Sequence, residues 1–350
     1  MPVWAGTRDS VSDAGSRTMQ TIHFYAPQDA HQPLLFHDYT TWNGAHGNFV
    51  GWVAQTYFYL KRLGFNCVPA RTIPDEGILL TDWDTMNQFF RPLDRVMLVS
   101  ARSDGMYHPS AHFNILHNPS VCERDRHSIW NPHFVPHWPM PGLMRRNPNR
   151  GVTPRTVAYV GHPSQLAPEL QAPEWAQRLG SIGLEWRNIG DPSLWHDLSA
   201  VDIIVAARKF DGHPYLGKGA NKLFNAWHAG IPAVLSPEVG FLAERRSDLD
   251  FLLARTVDEA FESVKRLKES PDLYRDMVAN GTVRSKDHSI EKTADRWVDF
   301  FNNVAFPEYP RWSASSLAWK RSLYLRRYTA FRLTRIRMRI RALLGKDQYR

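Results

Sequence analysis

Hydrophobic and polar positions along the chain predict short buried strands in alternation with helices. In the N-terminal part, a helical pattern covers 49–63, and the apolar runs that predict strands are 21–25, 65–69, 77–80, 95–100 and 113–116. Strands that alternate with helices are typical of a parallel sheet whose strands are joined by crossover helices. The pattern therefore predicts a Rossmann-like α/β domain over 21–130.

A second unit of the same kind follows a segment of different character. Residues 131–154 contain repeated Pro and Asn without a hydrophobic period, which is typical of an interdomain linker. Beyond it, strands are predicted at 156–160, 185–189, 201–206 and 233–235, and helices at 174–179, 258–268, 273–278 and 293–304. We therefore expect a second Rossmann-like domain over 155–305, which gives an α/β fold of two parallel-sheet domains.

Composition fits this organisation. A chain of 350 residues with 43% apolar residues suits two domains of ordinary size. No apolar run is long enough to span a membrane, and residues 1–20 are polar, so we expect a disordered lead there. The two cysteines, Cys67 and Cys122, lie far apart, which indicates neither a disulfide framework nor a zinc site and favours a cytoplasmic protein.

The net charge of +8 is concentrated at the C-terminus. Residues 311–350 hold twelve Lys or Arg and one acidic residue, so this segment carries +11 and the rest of the chain −3. A mildly acidic body argues against a nucleic-acid-binding core. Over 306–350 we expect a basic amphipathic tail, in which 313–344 contacts an anionic membrane surface; a disordered tail and a nucleic-acid contact are the alternatives.

The segment 218–235 carries the clearest candidate chemistry. It predicts a short helix, a turn at Gly230 and Pro232, and a buried strand. Lys218 and Lys222 are four residues apart and share one helix face, close to the helix start, where backbone N–H groups favour anions. This arrangement predicts a diphosphate site, although solvated lysines on an ordinary helix would give the same spacing.

Further candidates follow predicted strands, where open α/β sheets bind ligands. Arg208 follows 201–206 and could clamp a phosphate, and Gly161 and His162 end 156–160. His162 could instead cap a loop. The remaining candidates for contacts with ribose or sugar are Asn221, Asn225 and Glu238.

The run from Lys218 to Pro232 resembles the donor-binding segment of GT-B glycosyltransferases. Its core, Lys222 to Ala226, is also similar to the E-K-L-x-N-A stretch of α1,3-fucosyltransferases, in which the lysine contacts the donor diphosphate. More specifically, the chain is similar to uncharacterised bacterial GT-B-like proteins with the pattern K-x-A-N-K-L-x-N-A-W-x-A-G-x-P. The resemblance covers about 20–305 and also includes W-P-x-P-G-L at 138–143, V-G-H at 160–162 and L-Y-x-x-M-V-x-N-G at 273–281.

The resemblance implies a GT-B fold and a glycosyltransferase that moves a sugar from a nucleotide-diphosphate sugar in the second domain to an acceptor on the first. One departure concerns the two glutamates that many retaining GT-B enzymes carry, because Gly217 and Asn225 stand at those positions. An amide cannot stabilise positive charge as a carboxylate does, so the stereochemical outcome stays open. A non-catalytic nucleotide- or sugar-binding protein of the same fold is the alternative.

The first domain offers three candidates for a general base: His46, Asp38 and Asp104. A neutral imidazole suits proton removal from a sugar hydroxyl. Asp82-Trp83-Asp84 has D-x-D spacing but lies outside the predicted donor domain, so we expect a metal-independent reaction without a cofactor, the nucleotide sugar being a co-substrate. The expected acceptor is a glycan or a lipid-linked sugar, with a role in cell-surface polysaccharide synthesis at the inner face of the membrane.

Overall fold

The computed structural model describes residues 20–42, 47–86 and 90–343. The predicted disordered lead at 1–20 therefore lies almost wholly outside the described residues, and so does His46. Within the described part, the chain forms two parallel β-sheets, each covered by helices.

The first sheet has six parallel strands in the order β2-β1-β3-β4-β5-β6. They are β1 (Ile22–Tyr25), β2 (Cys67–Ala70), β3 (Gly77–Asp82), β4 (Val96–Ala101), β5 (Phe113–Leu116) and β6 (Pro132–Phe134). All side chains of β3, β4 and β5 are buried, as expected for central strands that helices cover on both faces.

The second sheet has five parallel strands in the order β11-β10-β9-β7-β8. They are β7 (Thr156–Val160), β8 (Glu185–Ile189), β9 (Ile203–Ala206), β10 (Ala233–Leu235) and β11 (Leu252–Leu253). The predicted α/β fold with two Rossmann-like domains is thus confirmed.

The helices alternate with these strands and then continue to the end of the described chain. They are α1 (Gln55–Arg62), α2 (Trp83–Met86), α3 (Pro119–Asp125), α4 (Pro168–Gln171), α5 (Pro173–Ser181), α6 (Asn221–Ala229), α7 (Val239–Glu244), α8 (Val257–Glu269), α9 (Pro271–Ser285), α10 (Ile290–Asp299), α11 (Phe306–Ala314) and α12 (Leu317–Leu343). A π-helical segment, Val50–Ala54, leads into α1, and another, Phe300–Ala305, joins α10 to α11.

The chain returns from the second domain to the first at α10. Trp297, Phe300, Phe301 and Trp312 are buried in the core of the first sheet together with strands β1, β4 and β5. The first domain therefore includes α10 and α11. The sequence pattern instead assigned α10 to the second domain, 155–305, and α11 to a separate tail, 306–350.

Strand β6 lies inside the segment predicted as linker. Its three residues extend the first sheet, with His133 opposite Ile115. A strand this short shows no period, and a proline at its first residue is tolerated because this is an edge strand. The connection between the domains accordingly begins after Phe134.

Helix α12 is packed against the first domain along its first half, contrary to the expectation of an appended tail. Lys320 and Arg327 are both buried, and Phe331 packs against Phe90. Charged residues in an arginine-rich segment are usually solvated, and for that reason the sequence pattern did not reveal this packing. Within the described residues, no helix combines the length and apolar character needed to cross a membrane.

Candidate functional site

A cavity of about 390 Å³ lies between the two domains, at the carboxyl ends of their strands. Its size is typical of a small-molecule site. Eight of the residues singled out in the sequence line it, namely Asp104, Gly161, His162, Arg208, Lys218, Asn221, Lys222 and Asn225. Residues more than 100 positions apart are thus brought together around one space.

Three cations of the second domain converge on this cavity. Arg208 follows β9, Lys218 lies in the loop before α6, and Lys222 is in the first turn of α6. Arg208 forms an ion pair with the buried carboxylate of Glu238, and Lys218 Nζ lies 2.5 Å from Asp104 Oδ2. Lys222 has no ion-pair partner among the described residues, so it is the cation most available to an anionic ligand.

The surroundings of Lys222 disfavour its charged form. Burial, followed by the nearby charges of Arg208 and Lys218, lowers the pKa of Lys222 to about 7. Its ammonium lies 5.2 Å from the centre of the Tyr159 ring, which offers only a weak substitute for water. A ligand carrying negative charge would relieve this repulsion and restore the ordinary pKa.

Gly161 allows Lys222 to take this position. A Cβ at Gly161 would lie 3.0 Å from Lys222 Nζ and 2.9 Å from the Tyr159 hydroxyl, and the residue has a φ of 147°. Any other residue would be strained and would crowd both groups. The glycine at the end of β7 thus keeps space open beside the lysine.

The start of α6 also faces the cavity with groups that lack partners. Its N-cap residue, Ala220, has no side chain that can accept a hydrogen bond, and the buried Oδ1 of Asn221 has no partner in the part of the chain that the structure describes. Gly230 ends the helix in the left-handed conformation, with φ 71°, as the sequence predicted. An uncapped helix start is a position where an anion can accept backbone hydrogen bonds.

The first domain contributes His117, which follows β5. Its Nε2 lies 2.9 Å from the carbonyl oxygen of Gly217, and because a carbonyl only accepts, Nε2 carries the proton. Burial lowers the pKa of His117, so the ring is neutral at physiological pH. Its buried Nδ1 has no partner among the described residues, so it is a free acceptor on a residue that lines the cavity.

Asp104 stands between His117 and Lys218. Its Oδ1 lies 3.7 Å from His117 Nε2. Burial works to raise the pKa of Asp104, but Lys218 and His117 outweigh it and hold the pKa below its ordinary value. Asp104 is therefore ionised and paired, which makes its carboxylate a weak base in the ligand-free protein.

The segment leading into α1 forms the opposite wall of the cavity. Gly51 is packed so closely that a Cβ there would lie 2.1 Å from the imidazole of His137. One turn further, Gln55 is buried, and its Oε1 has no partner within 20–42, 47–86 and 90–343. This wall therefore contributes the side-chain amide of Gln55, whereas the amide of Asn48 is already bonded to Asp84 and Ser103.

The domains also contact each other beside the cavity. Asn118 Nδ2 donates to the carbonyl oxygen of Lys218 at 2.9 Å, and a Cβ at Gly219 would lie 2.9 Å from the ring of His117. The loop before α6 is thus held against the ends of β4 and β5, and the cleft is closed along this edge.

The structure places the other candidates differently. Glu238 is buried outside the cavity lining, where it binds Arg208 and accepts from Ser236 Oγ at 3.0 Å. His162 lines the cavity and also caps the turn that follows, with Ser164 N 3.2 Å from its Nδ1. Asp38 is exposed, accepts hydrogen bonds from Thr40 and does not line the cavity. His46 lies outside the described residues.

Sequence reasoning missed His117 and Gln55. His117 directly follows a predicted strand, so the rule that selected Gly161 and His162 would also have selected it. Gln55 had no such signal, because a glutamine within a helical pattern is usually exposed.

Comparisons with known proteins agree with this architecture. No protein-family model matches the chain, and no curated protein sequence matches it. Among solved structures, sucrose-phosphate synthase from Thermosynechococcus elongatus is similar with a TM-score of 0.50 at 12% identity, over 82% of this chain and 100% of that one. At such identity the likeness concerns the fold.

Two further similar structures are glycosyltransferase complexes. S. aureus TarM, in a complex with Fondaparinux, alpha-GlcNAc-glycerol and UDP, matches with a TM-score of 0.48 at 12% identity, over 71% of this chain and 58% of that one. The pneumococcal O-GlcNAc transferase GtfA, in a complex with UDP and GlcNAc, matches with a TM-score of 0.48 at 10% identity, over 73% of this chain and 60% of that one. The two parallel-sheet domains and the likeness to sucrose-phosphate synthase agree with the expected GT-B fold. The chain spans less than two thirds of the length of TarM and of GtfA.

Proposed function

We propose that the protein is a glycosyltransferase that uses a nucleotide-diphosphate sugar. The donor would bind to the second domain, and a glycan or lipid-linked acceptor to the first. The observation that carries this proposal is the convergence of Arg208, Lys218 and Lys222 on one cavity beside the start of α6. The glycosyltransferases of similar fold support the same assignment.

The cations would stabilise the diphosphate as it leaves. Negative charge on the leaving group grows in the transition state, and fixed positive groups in a closed site stabilise it more than water does. Lys222 meets the diphosphate directly, whereas Lys218 must exchange Asp104 for it. Because these cations and the start of α6 would already contact the diphosphate, we propose a metal-independent reaction with no cofactor.

The first domain would handle the acceptor hydroxyl. His117 Nδ1 is the neutral, unpartnered acceptor next to the cavity, so we assign it the hydrogen bond from the reacting hydroxyl. Asp104 would stabilise positive charge on the ring through its position near Nε2. Gln55 Oε1 would accept from a further hydroxyl of the acceptor.

The cellular role follows from the acceptor class and the basic C-terminal segment. We propose that the protein acts in cell-surface polysaccharide synthesis, in the cytoplasm and peripherally on the inner face of the membrane, with 313–344 as the contact. The charge distribution supports this role: the +11 of residues 311–350 attracts anionic lipid, while the acidic remainder disfavours nucleic acid.

A thermal-shift screen of the full chain against nucleotide sugars tests the proposed function. A ligand that binds only the folded protein stabilises it by RT ln(1 + [L]/Kd), or about 2.7 kcal/mol at 100 times Kd. We expect one nucleotide sugar to raise Tm clearly more than the others. The absence of any shift would refute donor binding.

A second measurement separates an enzyme from a binding protein of the same fold. The missing acidic pair at Gly217 and Asn225 keeps that alternative open. We expect the nucleotide sugar that binds to release its nucleoside diphosphate over time, because water can replace the acceptor slowly. Binding without release, even with candidate glycan acceptors present, would favour the non-catalytic alternative.

A further inference from the structure

Helix α12 has two faces of different chemistry. One face packs against the first domain, and we call it the docked face. It recurs every three or four residues, as the side of a helix does, and its side chains are buried or half-buried. Its members are Lys320, Tyr324, Arg327, Phe331, Thr334 and Met338.

The docked face fixes the orientation of the helix. Arg327 donates to the carbonyl oxygens of Ala111 and Ile129, the latter at 2.6 Å. Lys320 Nζ lies 3.2 Å from Asp94 Oδ1. A buried guanidinium is tolerated only where such partners satisfy it, so α12 can dock in one rotational position only.

The opposite side of the helix is apolar and exposed, and we call it the outer face. At about 100° per residue, its side chains fall within about 80° of the helix circumference. These side chains are 48% to 86% exposed, so nothing in the described chain covers them. The outer face consists of Leu325, Leu333, Ile336, Ile340 and Leu343.

Arginines border the outer face on both sides. By the same helical spacing, Arg321, Arg332, Arg335 and Arg339 lie along one edge, and Arg326 and Arg337 lie along the other. Helix α12 contains no acidic residue. An exposed apolar strip between two rows of arginines complements a surface that is apolar inside and anionic at its headgroups.

We propose that the outer face of α12 lies in the interface of an anionic phospholipid membrane. This proposal rests on the proposed peripheral location and specifies the surface that makes the contact. The apolar side chains would enter between headgroups while the arginines bind lipid phosphates. A nucleic acid would use the arginines but has no use for the apolar strip, because its affinity comes mainly from phosphate contacts.

The docked face also determines how the contact can be tested. Removing the chain from Trp312 onward would delete Trp312, Lys320 and Arg327, which are buried in the first domain. Such a truncation would disturb the fold and could not isolate the membrane contact. Substitutions on the outer face of the full chain avoid this problem.

The test is co-sedimentation of the full chain with vesicles of phosphatidylcholine, alone or mixed with phosphatidylglycerol. One variant replaces Leu333, Ile336 and Ile340 by Ser, and a second replaces Arg332, Arg335 and Arg339 by Gln. The matched controls replace exposed residues elsewhere, namely Leu63, Leu242 and Val283 by Ser, and Arg62, Arg187 and Arg255 by Gln.

We expect wild-type protein and both controls to bind the mixed vesicles at least tenfold more tightly than phosphatidylcholine alone. Both outer-face variants should bind at least tenfold more weakly than their controls. The arginine contribution should shrink as salt rises, because exposed charges are screened over about 8 Å at physiological ionic strength, and the apolar contribution should persist.

Three results would overturn the proposal. The first is that wild-type protein does not bind the mixed vesicles, and the second is that outer-face and control variants bind equally well. The third is that the protein self-associates and the Ser variant abolishes this, because the outer face would then contact a second copy of the chain. Nucleotide-sugar binding, measured in parallel by calorimetry, should be the same in all variants. Vesicle binding without nucleotide binding would therefore refute the proposed function and leave the membrane contact intact.

Discussion

The two walls of the interdomain cavity differ in their chemistry. The second domain contributes Arg208, Lys218 and Lys222 and an uncapped helix start, whereas the first contributes the imidazole of His117 and the amide of Gln55. Under the proposed function, one wall would bind negative charge and the other would bind hydroxyl groups. Transfer from a diphosphate to a hydroxyl needs both, so the contrast accounts for the proposed direction of the reaction.

The carboxylate of Asp104 is the exception, because it belongs to the first domain but binds a cation of the second. Asp104 forms an ion pair with Lys218, and a diphosphate would have to replace Asp104 to contact this lysine. Donor binding would therefore free Asp104 to act on His117, whose Nε2 lies 3.7 Å from Asp104 Oδ1. Asp104 thus adds an electrostatic link between the two walls to the hydrogen bonds that His117 and Asn118 make.

The largest expected effect comes from removing the imidazole of His117, which would bind the acceptor hydroxyl. We predict that His117→Ala lowers the turnover number by about 100-fold to 10,000-fold, because general acid–base groups contribute on that scale. Donor affinity should change by less than threefold, since the diphosphate would lie against the other wall. Nucleoside diphosphate release and calorimetry measure the two quantities.

His127→Ala is the matched control, because His127 is exposed and lies outside the cavity lining. It should retain wild-type turnover. If His117→Ala weakened donor affinity as much as turnover, His117 would hold the cleft together rather than act on the acceptor.

A smaller effect is expected when pH changes the charge of Lys222 and thereby the affinity for the donor. The pKa of Lys222 is about 7 in the free protein, and a bound diphosphate should raise it. Only the protonated lysine attracts the donor, so affinity should be constant below pH 7 and fall up to tenfold per pH unit above it, until the pKa of the bound state is reached. Calorimetry with a nucleotide sugar avoids titration of a terminal phosphate.

Lys222→Arg sharpens this prediction. A guanidinium keeps its charge at these pH values, so the affinity of this variant should not change between about pH 7 and pH 9. A wild-type profile as flat as that of the variant would show that Lys222 does not titrate in the site.

Much of the fold follows from the sequence. The strands at 113–116, 156–160, 185–189 and 233–235 lie where the pattern predicted them, because turn residues bound each short run. The docking of α12 did not follow, since it depends on buried Lys320 and Arg327, whose partners are carbonyl and carboxylate oxygens from distant loops. No local pattern encodes such partners.

The site divides in the same way. Lys218, Asn221, Lys222 and Asn225 belong to one continuous motif, and the sequence identified them together. His117 acquires its fixed tautomer from the carbonyl oxygen of Gly217, which is 100 residues away in the chain. The protonation pattern of His117 therefore depends on a contact between the two domains, which no local sequence pattern shows.

The central claim is that the second domain's side of the cavity binds a diphosphate through Lys222. Its most direct test is calorimetric titration of wild-type, Lys222→Met and Lys209→Met proteins with UDP and GDP at neutral pH. Lys209 is exposed, adjacent to Arg208 and absent from the cavity lining, so it is the matched control. We predict that Lys209→Met binds like wild type and that Lys222→Met binds about 100-fold more weakly, a loss of about 3 kcal/mol. Equal affinity of the two variants would contradict the claim.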